Sequence, residues 1–127
     1  MSSYRDLQVW RKAMGLVVMV YRHTQAYPSD ERFGLTSQTR RAATSIPANI
    51  AEGQARKSNP SFRNFLRIAL GSAAELETHL EIARRLRYSE EDDAQALLRS
   101  ADEVGRMLQG LLKSLQAEDD PPPLTID

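Results

Sequence analysis

Apolar residues recur at alternating intervals of three and four along four successive segments of this 127-residue chain. Such spacing places side chains along one side of an α-helix, and no segment shows the two-residue alternation of a half-buried strand. The segments cover about residues 4–25, 30–57, 60–87 and 90–117. Four helices of this length with short connections predict an all-α fold, an antiparallel up-down-up-down four-helix bundle formed by residues 1–117.

Short polar and proline-containing stretches mark where each helix should begin and end. The residue before Pro28 is disfavoured in the helical region, so the first helix should end there, and Ser29 or Asp30 should cap the second. Ser58 is expected to cap the third helix and Ser89 the fourth, because a side-chain oxygen at this position accepts a bond from a free backbone N–H.

The first helix has a predicted core row at three-four spacing that includes several large side chains. This row consists of Leu7, Trp10, Met14, Val17 and Tyr21. We expect these residues to face the centre of the bundle, with Ala13, Leu16 and Val20 widening the apolar arc.

The second helix places polar side chains beside its apolar row. These residues share one face and are called the polar row: Gln38, Ser45, Asn49 and Glu52. Buried polar groups cost free energy unless they are hydrogen-bonded, so the row predicts a network that fixes how helices or subunits pack. Pro47 is expected to kink or break this helix, because it has no N–H to donate.

The third helix carries two rows at helical spacing. One is the expected core row, and the other, called the outer row, is centred about 110° away around the helix. The outer row consists of Ile68, Gly71, Ser72, Glu75, His79 and Ile82. A helix that contacts two neighbours needs a wide apolar arc, but Ile68 and Ile82 lie furthest towards solvent. An exposed apolar stripe is a liability on a monomer, so we expect a subunit interface here.

The net charge of the chain is zero, but the charges are unevenly distributed. Between Arg32 and Ala74 the only acidic residue is Glu52. The cations of this region that are candidates for contacts with phosphates are called the basic set: Arg40, Arg41, Arg56, Lys57, Arg63 and Arg67. The asymmetry indicates either an anionic partner or a helix face that pairs with the acidic half of the same chain.

Residues with the spacing of a catalytic or cofactor site are missing from the sequence. There is no cysteine, no glycine-rich phosphate loop and no serine or cysteine nucleophile beside either histidine. Glu75 and His79 are four residues apart, but the further carboxylates of a bundle metal site are absent, so a hydrogen bond between them is the favoured interpretation. We therefore expect no enzymatic activity, no metal and no cofactor.

Two further expectations concern the ends of the chain and its location. The acidic, proline-rich residues 118–127 are predicted to be disordered. No apolar run is long enough to span a membrane, and the N-terminal residues carry charges where a signal peptide would be apolar, so a cytoplasmic location is expected.

The order of several short motifs resembles one known family. The motifs are Asp6-Leu7, Val9-Trp10, Lys12-Ala13, Tyr27-Pro28, Glu31, FGLTSQ at 33–38, Arg40-Arg41-Ala42, SIPANIAEG at 45–53, Gly71-Ser72 and Glu75-Leu76-Glu77. Over about residues 4–115 the chain resembles the four-helix-bundle proteins encoded within intervening sequences of bacterial 23S ribosomal RNA genes.

This resemblance implies a ring-like homopentamer and a distant relation to accessory proteins of diversity-generating retroelements, which bind a reverse transcriptase and nucleic acid. Two hypotheses follow: an oligomer that binds RNA, another nucleic acid or a nucleic-acid-processing protein through the basic set, or a purely structural or protein-binding oligomer in which those residues form ion pairs.

Overall fold

The computed structural model describes residues 3–119, and helices are the only regular secondary structure over that range. It contains two short 3₁₀ turns, Tyr4–Asp6 and Ser29–Glu31. The four α-helices are α1 Gln8–Thr24, α2 Leu35–Ala55, α3 Asn59–Arg85 and α4 Glu91–Asp119. The predicted all-α fold with four helices is confirmed.

Each helix packs against two neighbours. α1 contacts α2 and α4, and α3 contacts the same two helices, whereas α1 and α3 have no pair of Cα atoms within 8 Å. The buried core is built mainly of leucine, alanine, valine and isoleucine from all four helices. Its largest fully buried members are Leu16, Ile46, Ile50, Leu66, Leu76, Leu80, Leu97 and Leu108.

The core side of α1 differs from the predicted row. The buried residues of α1 include Val9, Ala13, Leu16 and Val20. Met14 and Tyr21 of the predicted row are exposed instead, and Leu7, Trp10 and Val17 are only partly buried. Both rows have helical spacing, and the smaller side chains fit the close approach of α1 to its neighbours. The residues predicted to widen the arc, Ala13, Leu16 and Val20, are thus at its centre, and the prediction was wrong for Met14 and Tyr21.

N-caps were predicted for α2, α3 and α4, and only the cap of α3 is observed. The Ser58 hydroxyl accepts a hydrogen bond from the Ser61 N–H at 3.3 Å, as expected for the cap of α3. α2 begins later than predicted, after a 3₁₀ turn that contains Ser29 and Asp30, and its first N–H, of Leu35, donates to the Glu31 carboxylate.

The cap predicted for α4 was also wrong. α4 begins at Glu91, so Ser89 lies one residue too early to act as the cap. Its hydroxyl is buried and has no hydrogen-bond partner in the described part of the chain.

Two further predictions concern the middle of α2 and the end of α4. α2 continues without a break through Pro47, which is buried, so the predicted local break is absent. α4 reaches Asp119, and residues 120–127, which form most of the predicted disordered tail, lie outside the described residues.

Candidate interface on α2 and α3

An open groove of about 520 Å³ runs between α2 and α3. Residues of the polar row and of the outer row meet in it. The groove is lined by Gln38, Arg41, Ala42, Ser45, Ser72, Glu75 and His79. The two rows, which the sequence placed on separate helices, thus form one continuous surface.

A small hydrogen-bonded network joins the two helices at the base of this groove. The hydroxyls of Ser45 and Ser72 are 2.8 Å apart, so one donates to the other across the helix contact. Asn49 donates from Nδ2 to the Ser45 hydroxyl at 3.0 Å and to the Ser45 carbonyl oxygen at 2.8 Å. All three side chains are partly buried, so the network is of the kind predicted to fix how the two helices pack.

The other two members of the polar row lie away from this network. Gln38 is exposed at the edge of the groove. Glu52 is also exposed, and its carboxylate lies 3.9 Å from the Arg56 guanidinium one turn further along α2. The network therefore centres on Ser45 and Asn49, and its role in fixing packing remains a prediction.

α2 and α3 lie in close contact at Gly53, near the end of α2. A Cβ added at Gly53 would lie 2.6 Å from Cβ of Phe65 and 3.1 Å from the ring of Phe62. Only a glycine leaves room for these two rings against the α2 backbone.

Glu75 and His79 both line the groove but differ in environment. Glu75 is exposed, while the Nδ1 atom of His79 is buried and has no hydrogen-bond partner within residues 3–119. The predicted hydrogen bond between Glu75 and His79 is therefore not made at Nδ1 of His79. No group of three potential metal ligands occurs in the same range.

Large apolar side chains project into solvent beside the groove. Ile68 and Ile82 of the outer row are 45% and 42% exposed, and Leu86 is 52% exposed. Phe33 is 88% exposed, an unusual state for a phenylalanine. These values match what the outer row predicts for an uncovered face, because such side chains gain free energy only when another surface covers them.

Phe33 was not among the predicted interface residues. It is held by a well-bonded turn: the Glu31 carbonyl accepts the Gly34 N–H at 3.0 Å, and the Glu31 carboxylate accepts the Tyr88 hydroxyl at 2.9 Å. A large aromatic residue in a fixed turn just before a helix was the available signal. The hydrogen bond from Tyr88 to Glu31 joins residues that are distant in the sequence, so spacing does not reveal it.

The basic set divides into two groups. Arg40 packs within the chain: its guanidinium lies over the Tyr21 ring at 4.6 Å and donates to the Thr24 hydroxyl at 2.8 Å. Arg40 thus joins α1 to α2 and is poorly placed for an external ligand. Arg41 is exposed and lines the groove.

The remaining four cations lie around the connection from α2 to α3. Arg56, Lys57 and Arg67 are exposed, and Arg63 is half-buried. The Arg56 guanidinium also lies over the Phe65 ring at 5.1 Å, which leaves part of its N–H edge towards solvent. Lys57 has a positive φ of 58°, so the chain turns sharply between α2 and α3. Arg56 and Lys57 lie in this turn, while Arg63 and Arg67 lie on α3.

A cluster of charged side chains lies next to Ile82, at the C-terminal end of the outer row. Glu81, next to Ile82, accepts hydrogen bonds from Arg84 at 2.6 Å and from Arg85 at 3.2 Å. These bonds lower the pKa of the Glu81 carboxyl to about 2. The three side chains form an ion-pair cluster beside the exposed apolar residues.

The fold and this surface define a class: an all-α, four-helix protein with a composite polar and apolar face on two adjacent helices. The family of 23S rRNA-intervening sequence proteins matches residues 5–110. The chain belongs to this family, as the sequence motifs predicted.

A solved structure supports the same assignment. The chain is similar to a protein of unknown function from the S23 ribosomal protein family of Bacteroides thetaiotaomicron, with 29% identity and a TM-score of 0.75. The match covers 83% of this chain and 95% of that chain. No curated protein matches the chain. Within residues 3–119, no helix has the length and apolar character needed to span a bilayer.

Proposed function

We propose that this chain acts without catalysis, as an antiparallel four-helix bundle that assembles into a ring-shaped homo-oligomer, a homopentamer by analogy with the family. The observation that carries the proposal is the exposed face of α3, where Ile68, Ile82 and Leu86 are exposed on the helix whose Ser72 is hydrogen-bonded to α2. A pre-organised face of this kind favours association, because its side chains lose little further freedom on binding.

The contact pattern along α2 and α3 supports the antiparallel arrangement. Gly53 lies against Phe62 and Phe65, while Ser45 bonds to Ser72. Contacts therefore move down α2 as they move up α3.

The hydrogen bonds in the groove support binding rather than catalysis, because neither serine hydroxyl is bonded to a base. The Ser45 and Ser72 hydroxyls bond to one another, and the third member of the network is an amide. A nucleophilic serine needs a base in hydrogen-bond contact, and an asparagine side chain cannot accept the proton.

Light scattering tests the assembly. One chain has a mass of 14.3 kDa, and the proposal predicts a particle several times heavier, about five chain masses for a closed pentamer. A particle of a single chain mass would refute the proposal.

RNA binding is the ligand activity that we favour, through Arg56, Lys57, Arg63 and Arg67. The exposure of Arg56 and Lys57 at the turn between α2 and α3, and of Arg67 further along α3, supports it, and a ring would repeat these cations once per subunit. Filter binding to a structured RNA should be measurable at low salt and weaken steeply between roughly 50 and 300 mM salt, because phosphate contacts release counterions. Absent or salt-independent binding would refute it.

The alternative is a structural or protein-binding oligomer in which these cations form contacts between subunits. Replacing Arg56, Lys57, Arg63 and Arg67 together with glutamine separates the two hypotheses. Loss of RNA binding with an unchanged mass supports the first, and loss of assembly supports the second. The matched control replaces the same number of exposed cations elsewhere: Arg87, Arg99, Arg106 and Lys113.

A further inference from the structure

Three exposed glycines, Gly15, Gly71 and Gly110, stand inside helices without a reason in the packing of the chain itself, and two of them lie in apolar surroundings. Gly15 in α1 and Gly71 in α3 are both exposed, and a Cβ added to either would meet no atom within 4 Å. Glycine lowers the stability of a helix interior relative to alanine. Nothing within the chain offsets that disadvantage at these two positions.

Both glycines lie within exposed apolar stripes. Gly15 stands beside Met14 and Val18, which are 40% and 47% exposed on the side of α1 that faces away from the core. Gly71 lies between Ile68 and Ile82 on the outer row of α3. We call the first surface, formed by Met14, Gly15, Val18 and Tyr21, the α1 stripe.

This association is specific to the two stripes. Gly110 in α4 is also exposed, and an added Cβ there meets no atom within 4 Å, but it is flanked by Gln109 and Lys113. Gly110 therefore provides an internal control, a glycine with equal space in polar surroundings.

The two stripes cannot cover each other within one chain. α1 and α3 have no pair of Cα atoms within 8 Å, because each packs against α2 and α4. Only a second copy can bring an α1 stripe to an outer row.

The charges along the stripes are complementary. Arg22 is an exposed cation one turn beyond Val18 on α1. On α3, the exposed carboxylate of Glu75 lies between Ile68 and Ile82. A pairing of α1 with α3 would place opposite charges together, whereas a pairing of two α3 outer rows would place two Glu75 carboxylates together.

We propose that the α1 stripe of one copy docks on the α3 outer row of the next, with Gly15 and Gly71 at the closest approach of the two helices. Small residues at a helix contact let the backbones approach and pack. This inference rests on the proposed homo-oligomer and specifies its contact. The contact joins two different surfaces, so it is head-to-tail and generates a ring when the rotation closes.

A mixing experiment tests the pairing. Val18→Asp disrupts the α1 stripe and leaves the outer row intact, and Ile82→Asp does the reverse. Each variant alone should be monomeric by light scattering, with the circular dichroism of the parent protein. An equimolar mixture should form a two-chain particle that grows no further, because only one intact pair of surfaces remains. The double variant Val18→Asp/Ile82→Asp should form no complex with either.

The outcomes separate this contact from the homo-oligomer itself. A Val18→Asp variant that keeps the parent mass refutes the α1 stripe while leaving the oligomer standing. Two monomeric variants that do not combine refute the pairing. A parent protein that is itself monomeric refutes both proposals.

Leucine substitutions of the glycines provide a second test that avoids a buried charge. Gly15→Leu and Gly71→Leu should each reduce the particle mass by blocking close approach, while Gly110→Leu should leave it unchanged. Equal behaviour of all three variants would contradict the proposed contact.

Discussion

The two faces of α3 have the same spacing but opposite surroundings. The inner face, which includes Leu66, Leu76 and Leu80, is almost completely buried against the other helices. On the outer face, Ile68 and Ile82 remain more than 40% exposed, and Ser72, Glu75 and His79 of the same row line a polar groove. Hydrophobic periodicity therefore shows that two faces exist, while only the structure shows which face the single chain covers.

This difference assigns separate roles to the two faces. The inner face contributes to the folding of one chain, because its apolar area is removed from water on folding. The outer face gains the same free energy only by contact with another molecule. Substitutions on the two faces should consequently affect different measurements.

The largest effect is expected for Leu76→Ala on the inner face. Leu76 is fully buried, and the truncation should lower the free energy of unfolding by about 2–5 kcal/mol through lost burial and a residual cavity. Urea unfolding followed by circular dichroism measures this. Arg67→Ala, an exposed change on the same helix, is the control; an equal loss for both would contradict the assignment of the inner face.

Gly53→Ala should have the next largest effect. The added methyl would overlap Cβ of Phe65, which the α3 backbone holds in place, so the backbone of α2 or α3 must move. We expect a loss of about 1–3 kcal/mol in unfolding free energy, as for other overpacked sites. Gly110→Ala is the control and should be stabilising, because its methyl meets open space and alanine favours the helix.

Asn49→Leu tests the polar network that joins α2 to α3. It removes the hydrogen bonds to Ser45 and should change stability by about 1 kcal/mol or alter the assembly, leaving a helical protein. Unfolding and light scattering are measured together, with Asn64→Leu, an exposed position on α3, as the control. A fully native result in both measurements would remove the network from the account.

The smallest effect should be a pH dependence due to Glu81 at the edge of the outer face. Its pKa is lowered in the folded protein to about 2 from an ordinary 4.5, by hydrogen bonds from Arg84 and Arg85. The stabilisation is therefore complete above about pH 4.5 and is lost as the pH falls towards 2. Glu81→Gln should flatten the acid limb of stability against pH. Glu90→Gln, which removes a carboxylate without touching either arginine, should not.

The sequence predicted the fold well because the four amphipathic segments and the Ser58 cap act locally. It failed where two apolar rows competed on one helix. On α1, Met14 and Tyr21 were predicted to lie at the centre of the apolar arc and Ala13 and Leu16 at its edge, but Ala13 and Leu16 are buried while Met14 and Tyr21 are exposed. Spacing alone does not distinguish a core row from a surface row when both are apolar.

The candidate site was predictable in parts but not as a whole. Ser45 and Ser72 were each singled out on separate helices, and their contact at 2.8 Å depends on the register between α2 and α3. Arg40 was predicted to face a ligand, yet it packs on Tyr21 because the turn between α1 and α2 brings the two together. Both outcomes depend on tertiary geometry that short-range patterns do not contain.

The most direct test of the separation between the two faces of α3 is a paired measurement on the double variant Ile68→Asp/Ile82→Asp. Mass by light scattering and helix content by circular dichroism should be recorded on the same sample. We predict a particle of one chain mass with the helix content of the parent protein. An unchanged oligomer, or a chain that loses its helices, would contradict the assignment of the outer face to assembly.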